Sequence, residues 1–309
     1  MPLYLTDTDV EGLLRPDEAV AAVEACCRRL AAGTVESLPR RRLQLPDGSL
    51  AVMAATDMEL GLAGVKSYTV VDGRVASVLS LFELTGGLAA VLEADGLGRL
   101  RTGAASGVAA AHLARSGAAS VGLIGCGRQA ASQLAAIRAA VPRIERAVAW
   151  CRTPARLAAF CAANGAEAAA GPAEAAAQDV VVTATTARDP VLRGDWLQEG
   201  ALVCAIGANV PRSRELDNVV LQRATFVCCD SREQARVESA DLIEPVAAGV
   251  LDWLEVHELQ EAVAGEVRGR SGERDIVLFK SNGIAPWDVA VGAAVLERAR
   301  ERGAGRELR

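Results

Sequence analysis

The sequence predicts an α/β protein in which a doubly wound parallel sheet is joined to a smaller α+β unit, and three observations carry that prediction. The first is residues 120–129, Ser-Val-Gly-Leu-Ile-Gly-Cys-Gly-Arg-Gln, an apolar strand that breaks at two glycines and runs into an Ala-rich stretch. The second lies C-terminal to it. Short apolar strands at 146–150, 180–184, 201–205, 225–228 and 276–279 alternate with helices after Pro154 and near Leu216, the pattern of parallel β-α-β units. The third is the N-terminal part, where strand-like runs succeed one another. At 309 residues the chain is long for one core. Two domains are expected, residues 1–115 plus 282–309 and residues 116–281.

In chain order, Thr6-Asp-Thr-Asp-Val-Glu-Gly-Leu-Leu reads as a helix start and residues 16–32 carry apolar residues at helical spacing. Residues 37–53 form two strand-like runs around a turn at Pro46, Asp47 and Gly48, a hairpin signature. Runs 64–71 and 77–84 add two strands, and Gly86 and Gly87 separate the latter from 88–94. A helix from about Gly98 to Leu113 leads into the second domain. After the strand at 276–279 come Lys280-Ser-Asn-Gly-Ile-Ala-Pro-Trp-Asp and a helix over 288–300, which is expected to return to the first domain.

The glycine turn carries chemistry. Gly125 makes the tight turn, Gly127 leaves room for a pyrophosphate, and Ala130 meets the third requirement, close packing of helix on strand. Arg128 and Gln129 open the helix, whose free N–H groups and dipole favour phosphate. This is the first turn of a Rossmann-type dinucleotide-binding unit. At the end of its second strand an acidic residue would hydrogen-bond the ribose 2′-hydroxyl of NAD, but this chain has Trp150-Cys151-Arg152-Thr153. An arginine pairs with a 2′-phosphate, so Arg152 and Thr153 favour NADP over NAD. Thr185, after the strand at 180–184, completes the candidate cofactor set.

Composition narrows the classes. The net charge is −6, and the arginine clusters are short and local, so nucleic acid is not an expected partner. Charges or glycines interrupt every apolar run before membrane-spanning length, and the N-terminus shows no basic leader, so a cytoplasmic protein without a membrane partner is expected. Eight cysteines include no Cys-x-x-Cys, and the two histidines, His112 and His257, stand far apart in sequence. Buried free thiols rather than a metal site are expected.

Several segments converge on one family. Pro39-Arg40-Arg41, Val52-Met53, Gly64-Val65-Lys66, Arg101-Thr102, Gly125-Cys126-Gly127, Gly207-Ala208-Asn209 and Lys280-Ser281-Asn282-Gly283 occur in the order and spacing of the ornithine cyclodeaminase/mu-crystallin family, which the chain resembles along nearly its whole length. It departs at Ala54, where the family often has Pro, and at Asn209, where the cyclodeaminases have Asp.

The resemblance implies a homodimer, a nicotinamide cofactor, and a dimerisation and substrate platform made by the N-terminal domain and the returning helix. By the same likeness Lys66 is the catalytic lysine, Arg41 and Arg101 grip a substrate carboxylate, and Thr102 meets a cofactor phosphate. A lysine inside an apolar strand needs such a reason, and burial would lower its pKa into a range where it moves protons. Asn209 bears on the reaction, because a neutral amide cannot act as a general base near pH 7. The leading expectation is an NADPH-dependent reductase of a small imino acid such as a cyclic ketimine carboxylate. A cyclodeaminase of ornithine or lysine with tightly held NAD, an alanine dehydrogenase and a non-enzymatic NADPH-dependent binding protein are the alternatives. Asp288 matches a family aspartate in the tail, with a helix N-cap as its other reading.

Overall fold

Hydrophobic patterning sorts the chain into two sheets, each with its own helices. The computed structural model describes residues 1–308. In order, the elements are β1 (Leu3–Leu5), α1 (Asp7–Leu13), α2 (Pro16–Ala31), β2 (Val35–Leu45), β3 (Gly48–Asp57), β4 (Leu62–Val71), β5 (Arg74–Glu83), β6 (Leu88–Glu93) and α3 (Asp95–Leu113). Next come β7 (Ser120–Ile124), α4 (Arg128–Ala140), β8 (Arg146–Trp150), α5 (Pro154–Asn164), β9 (Glu167–Ala168), α6 (Pro172–Ala176), β10 (Val180–Thr183) and β11 (Leu202–Ala205). The chain continues through α7 (Asn218–Arg223), β12 (Ala224–Cys229), α8 (Arg232–Glu238), α9 (Ala240–Ala247), β13 (Val256–Glu258), α10 (Leu259–Val263) and β14 (Ile276–Lys280). It ends with α11 (Ala285–Arg302) and β15 (Arg306–Glu307). Backbone contacts divide it into one unit made of Met1–Arg101 and the segment from Ile284 onward, and a second made of Thr102–Gly283.

In the first unit the strands lie in the order β15-β1-β6-β5-β4-β3-β2. From β2 to β6 each neighbouring pair is antiparallel, because short turns join successive strands. Thr6 caps α1 in a capping box with Asp9. Helix α11 lies close on this sheet. A Cβ on Gly64 of β4 would stand 2.6 Å from the Val289 side chain, and one on Gly292 would stand 2.6 Å from Leu79 of β5. Trp287, Val289, Val291 and Val295 are fully buried there.

The second unit holds an eight-stranded sheet in the order β13-β12-β14-β11-β10-β7-β8-β9, and every pairing in it is parallel. Strand order reverses at β7, which has β8 on one side and β10 on the other. Ligands of open α/β sheets bind at such a switch point, outside the carboxyl ends of the strands. The core is a continuous apolar cluster including Ile124, Val148, Val181, Val203, Leu216 and Leu278.

Some boundaries differ from those read in the sequence. Helix α3 starts at Asp95 rather than near Gly98, and the helix expected near Leu216 starts at Asn218, where the Asp217 side chain caps it by accepting from Val220 N. Leu216 itself forms a bridge with Leu192. All eight cysteines are free, six of them buried and Cys151 and Cys161 half-buried. Among the described residues no helix is long and apolar enough to cross a membrane.

Gly122 in β7 shows how tightly the second unit is packed, because a Cβ there would lie 1.7 Å from the Ala175 carbonyl oxygen at the end of α6. Gly122→Ala is expected to destabilise the protein by about 1–3 kcal/mol or more, as overpacked positions do. Urea unfolding checks this, with a lower midpoint as the expected result.

Candidate active site

The second unit presents a cavity of about 370 Å³ at the switch point. Its wall is built from the turn Gly125, Cys126 and Gly127, from Trp150–Thr153 beyond β8 with Arg156 of α5, and from the loop Ala184–Val191 after β10. Gly125 has a φ of 113°, which favours glycine, and a Cβ there would lie 2.4 Å from the Ala184 carbonyl oxygen. Gly127, the N-cap of α4, differs: it has extended backbone and no atom within 4 Å of where its Cβ would stand. The protein therefore leaves open the space that a pyrophosphate needs, beside the N-terminus of α4. These features fit a dinucleotide.

Five sequence-predicted cofactor residues meet at this cavity: Gly125, Gly127, Arg152, Thr153 and Thr185. Arg128 and Gln129 are the first two residues of α4 and lie outside the cavity wall. Among the described residues that wall the cavity, those at the β8 end include Arg152 and Arg156 and no carboxylate; Asp189 comes from the loop beyond β10. Thr102 is buried in α3.

A second cluster lies in the first unit. Lys66 of β4 is buried, and its Nζ donates to Asp288 Oδ1 at 2.6 Å. Arg101 of α3 donates from Nε to the same oxygen at 3.2 Å. Gly98 makes room for the lysine, since a Cβ there would stand 3.1 Å from Nζ. Asp288 is fully buried, and among the described residues its Oδ2 has no hydrogen-bond partner. The helix N-cap is Ile284, so Asp288 sits inside α11 and the N-cap reading of this residue is corrected. The helix begins earlier than the sequence suggests because Pro286 is well tolerated in its first turn.

The arginine assignment on β2 also changes. The β2–β3 register shifts between Leu38 and Arg41, a bulge next to Pro39, which has no N–H to give to a ladder. Beyond it Arg41 pairs with Val52, which leaves Arg40 on the face of Met53, the residue paired with Lys66. Arg41 is exposed and Arg40 is buried, with Arg40 Nη2 3.7 Å from Met53 Sδ and its guanidinium 6.0 Å from the Tyr68 ring centroid. Arg40, not Arg41, joins the buried cluster.

Two cations, Lys66 and Arg101, thus share one oxygen of Asp288, and the Arg40 charge acts on Lys66. Burial lowers the pKa of Lys66 below the usual lysine value, and the Arg101 and Arg40 charges add to this against the pull of Asp288. Burial raises the Asp288 carboxyl, but the Arg101 and Lys66 charges outweigh it and hold it below the usual carboxylate range. An ionised aspartate beside a lysine of lowered pKa is what an excess of buried positive charge produces. That excess suits an anionic ligand.

Asn209 follows β11 in the second unit, and its loop is fixed by Glu215 and by Lys280 of the tail motif. Glu215 Oε2 accepts from Gly207 N at 2.7 Å and from Ala208 N at 3.2 Å. Lys280 Nζ donates to the Ala208 carbonyl at 2.5 Å and lies 3.5 Å from Asp241 Oδ2. Asp230 Oδ2 holds the tail, accepting from Ser281 Oγ at 3.1 Å and Asn282 N at 2.7 Å, and from Gly283 N. Glu215 and Asp241 carry no sequence signal beyond being acids near apolar runs.

Two units, one built around a dinucleotide turn and one holding a buried cationic cluster, define a nicotinamide-dependent class of protein. The model of the ornithine cyclodeaminase/mu-crystallin family matches residues 2–303, and the chain belongs to that family. It is 37% identical to an alanine dehydrogenase of Archaeoglobus fulgidus, over 99% of this chain and 98% of the other. The solved structure of a Thermococcus litoralis Δ1-pyrroline-2-carboxylate reductase in complex with NADH and L-proline superimposes with a TM-score of 0.93 at 31% identity, covering 99% of this chain and 100% of that one. An archaeal alanine dehydrogenase dimer with bound NAD gives 0.93 at 36% identity, over 100% of this chain and 99% of that one.

The two arginines of β2 are separable. Arg40→Ala is expected to raise the KM for a carboxylate substrate about tenfold to a hundredfold, the worth of a hydrogen bond to a charged group. Arg41→Ala, at an exposed position, should stay within about twofold of the parent. Steady-state kinetics on both variants decides between them.

Proposed function

We propose that this protein is an NADPH-dependent reductase of a small cyclic imino acid, a pyrroline- or piperideine-2-carboxylate, giving the L-amino acid. The observation that carries the reading is the buried pair of Lys66 and Arg101 on one oxygen of Asp288, with Arg40 buried on the face of β2 that meets Met53. Two cations on one carboxylate suit the binding of a substrate carboxylate, and planar guanidinium groups grip such a group at two points. Lys66, with its lowered pKa, supplies the proton at the substrate nitrogen, and Asp288 holds the ammonium in place. A bound nicotinamide supplies the hydride. Its phosphates would rest on Gly127 and the N-terminus of α4, with Thr102 and Thr185 as further contacts.

Asn209 favours reduction over cyclodeamination, because a neutral amide cannot activate an amine or water as a carboxylate does. The relatives named above, a pyrroline-carboxylate reductase and an alanine dehydrogenase, support chemistry at a carbon–nitrogen bond. Those solved neighbours hold NADH or NAD. The preference for NADP proposed here rests on Arg152 and Thr153, with Arg156 beside them, at the end of β8. We assign the protein to a homodimer, as in the archaeal neighbour, and to the cytoplasm, where eight free thiols would stay reduced.

A substrate panel tests the reading. Steady NADPH oxidation with cyclic imino acids is expected. Ammonia release from ornithine or lysine without net cofactor turnover would instead indicate a cyclodeaminase, and NADH formation from alanine an alanine dehydrogenase. Arg152→Ala should weaken NADPH much more than NADH, because a charge-assisted phosphate contact is lost. Equal weakening in fluorescence titrations would remove the 2′-phosphate assignment.

A further inference from the structure

The carboxylate of Glu215 is fully buried and lies where two strand-end loops meet. Its Oε1 accepts from Thr185 N and from Thr185 Oγ1, both at 2.7 Å. Its Oε2 accepts from Thr183 Oγ1 at 2.9 Å as well as from the amides of Gly207 and Ala208. One side chain therefore ties the end of β10, whose adjoining loop walls the cofactor cavity, to the turn after β11 that leads into Asn209. Gly207 is glycine for the same reason: a Cβ there would lie 2.3 Å from the Thr185 carbonyl oxygen and 2.5 Å from Glu215 Oε1.

The grip is completed from behind. Asp241 Oδ1 accepts from the backbone N–H of Glu215 at 2.8 Å and of Leu216 at 2.9 Å, which fixes the segment that carries the glutamate. Lys280 faces Asp241 and takes the Ala208 carbonyl, so the peptide groups on both sides of Ala208 are held, one by an anion and one by a cation. Such a network has little slack, because every donor on Glu215 would lose its partner if the carboxylate moved, and those of Thr183 and Ala208 would be left buried.

We propose that Glu215 is a positioning residue for the reaction: through Thr185 on one side and Gly207 and Ala208 on the other, it fixes the wall of the cofactor cavity and Asn209 in one mutual geometry. Glu215 itself is fully buried and acts through these neighbours. All five of its contacts are donors, so an amide in its place must turn an NH2 group toward N–H or O–H donors. Glu215→Gln keeps the volume and breaks the network. The inference rests on the reductase reading.

The test compares Glu215→Gln and Thr185→Val with the parent enzyme, using a cyclic imino acid and NADPH deuterated at the transferred position. For Glu215→Gln, kcat is expected to fall at least about tenfold with KM for the imino acid little changed, and the primary isotope effect on kcat should rise, as it does when misplacement makes hydride transfer rate-limiting. Thr185→Val, which removes one of the hydroxyl contacts, should show a smaller change of the same kind. An unchanged kcat and isotope effect in Glu215→Gln would overturn the proposal. So would an activity loss matched by the unfolded fraction in thermal denaturation with the parental isotope effect, since that is a purely structural role. A parent enzyme that reduces no imino acid would refute the reductase reading, whereas an active parent with an unaffected variant refutes only the role of Glu215.

Discussion

The bond on which the first unit depends is the contact of Asp288 with Lys66 and Arg101. Lys66 and Asp288 are 222 residues apart in sequence, and their meeting joins α11 to β4 and α3. Without the carboxylate, two buried cations would face each other, and removing one member of a buried ion pair costs about 3–5 kcal/mol. With it, the cluster still carries more positive than negative charge. The arrangement keeps the lysine in a fixed place and lowers its pKa, two properties that suit the proton donor proposed for it.

The second unit solves a different problem with the same kind of residue. The carboxyl ends of parallel strands open into loops whose N–H groups need partners, and these are also the loops that bind ligand. Glu215, Asp230 and Asp241 are buried acids whose oxygens collect those donors: the amides of Thr185, Gly207 and Ala208, of Asn282 and Gly283, and of Glu215 and Leu216. Lys280 offsets part of their charge. Polar groups in this core make the loops rigid where an apolar core would leave their backbones unpaired.

Much of this is legible in the sequence where the signal is local. The hairpin of β2 and β3 announces itself by Pro46-Asp47-Gly48, and the nucleotide turn by two glycines with different physical tasks, one for a positive φ and one for open space. The alternation of short strands and helices is enough to predict the parallel sheet. Arg40 stays hidden because a bulge at Pro39 changes which side chains of β2 share the face of Met53, and alternation alone cannot count through a bulge. Asp288 resembles a helix cap in the sequence because α11 starts ahead of it, at Ala285, without a capping side chain to mark the place. The Glu215 network lies out of reach for a third reason: its members are gathered by the order of strands in the sheet, which short-range spacing does not encode.

The claim that the excess cationic charge around Asp288 receives a substrate carboxylate is tested most directly by calorimetric titration of the NADP-loaded protein. The ligands compared are a saturated cyclic amino acid and its carboxamide, which match in shape and differ in charge. The account predicts that the carboxylate binds at least about tenfold more tightly, the scale of a charge-assisted hydrogen bond. Equal affinity for the two ligands would contradict it.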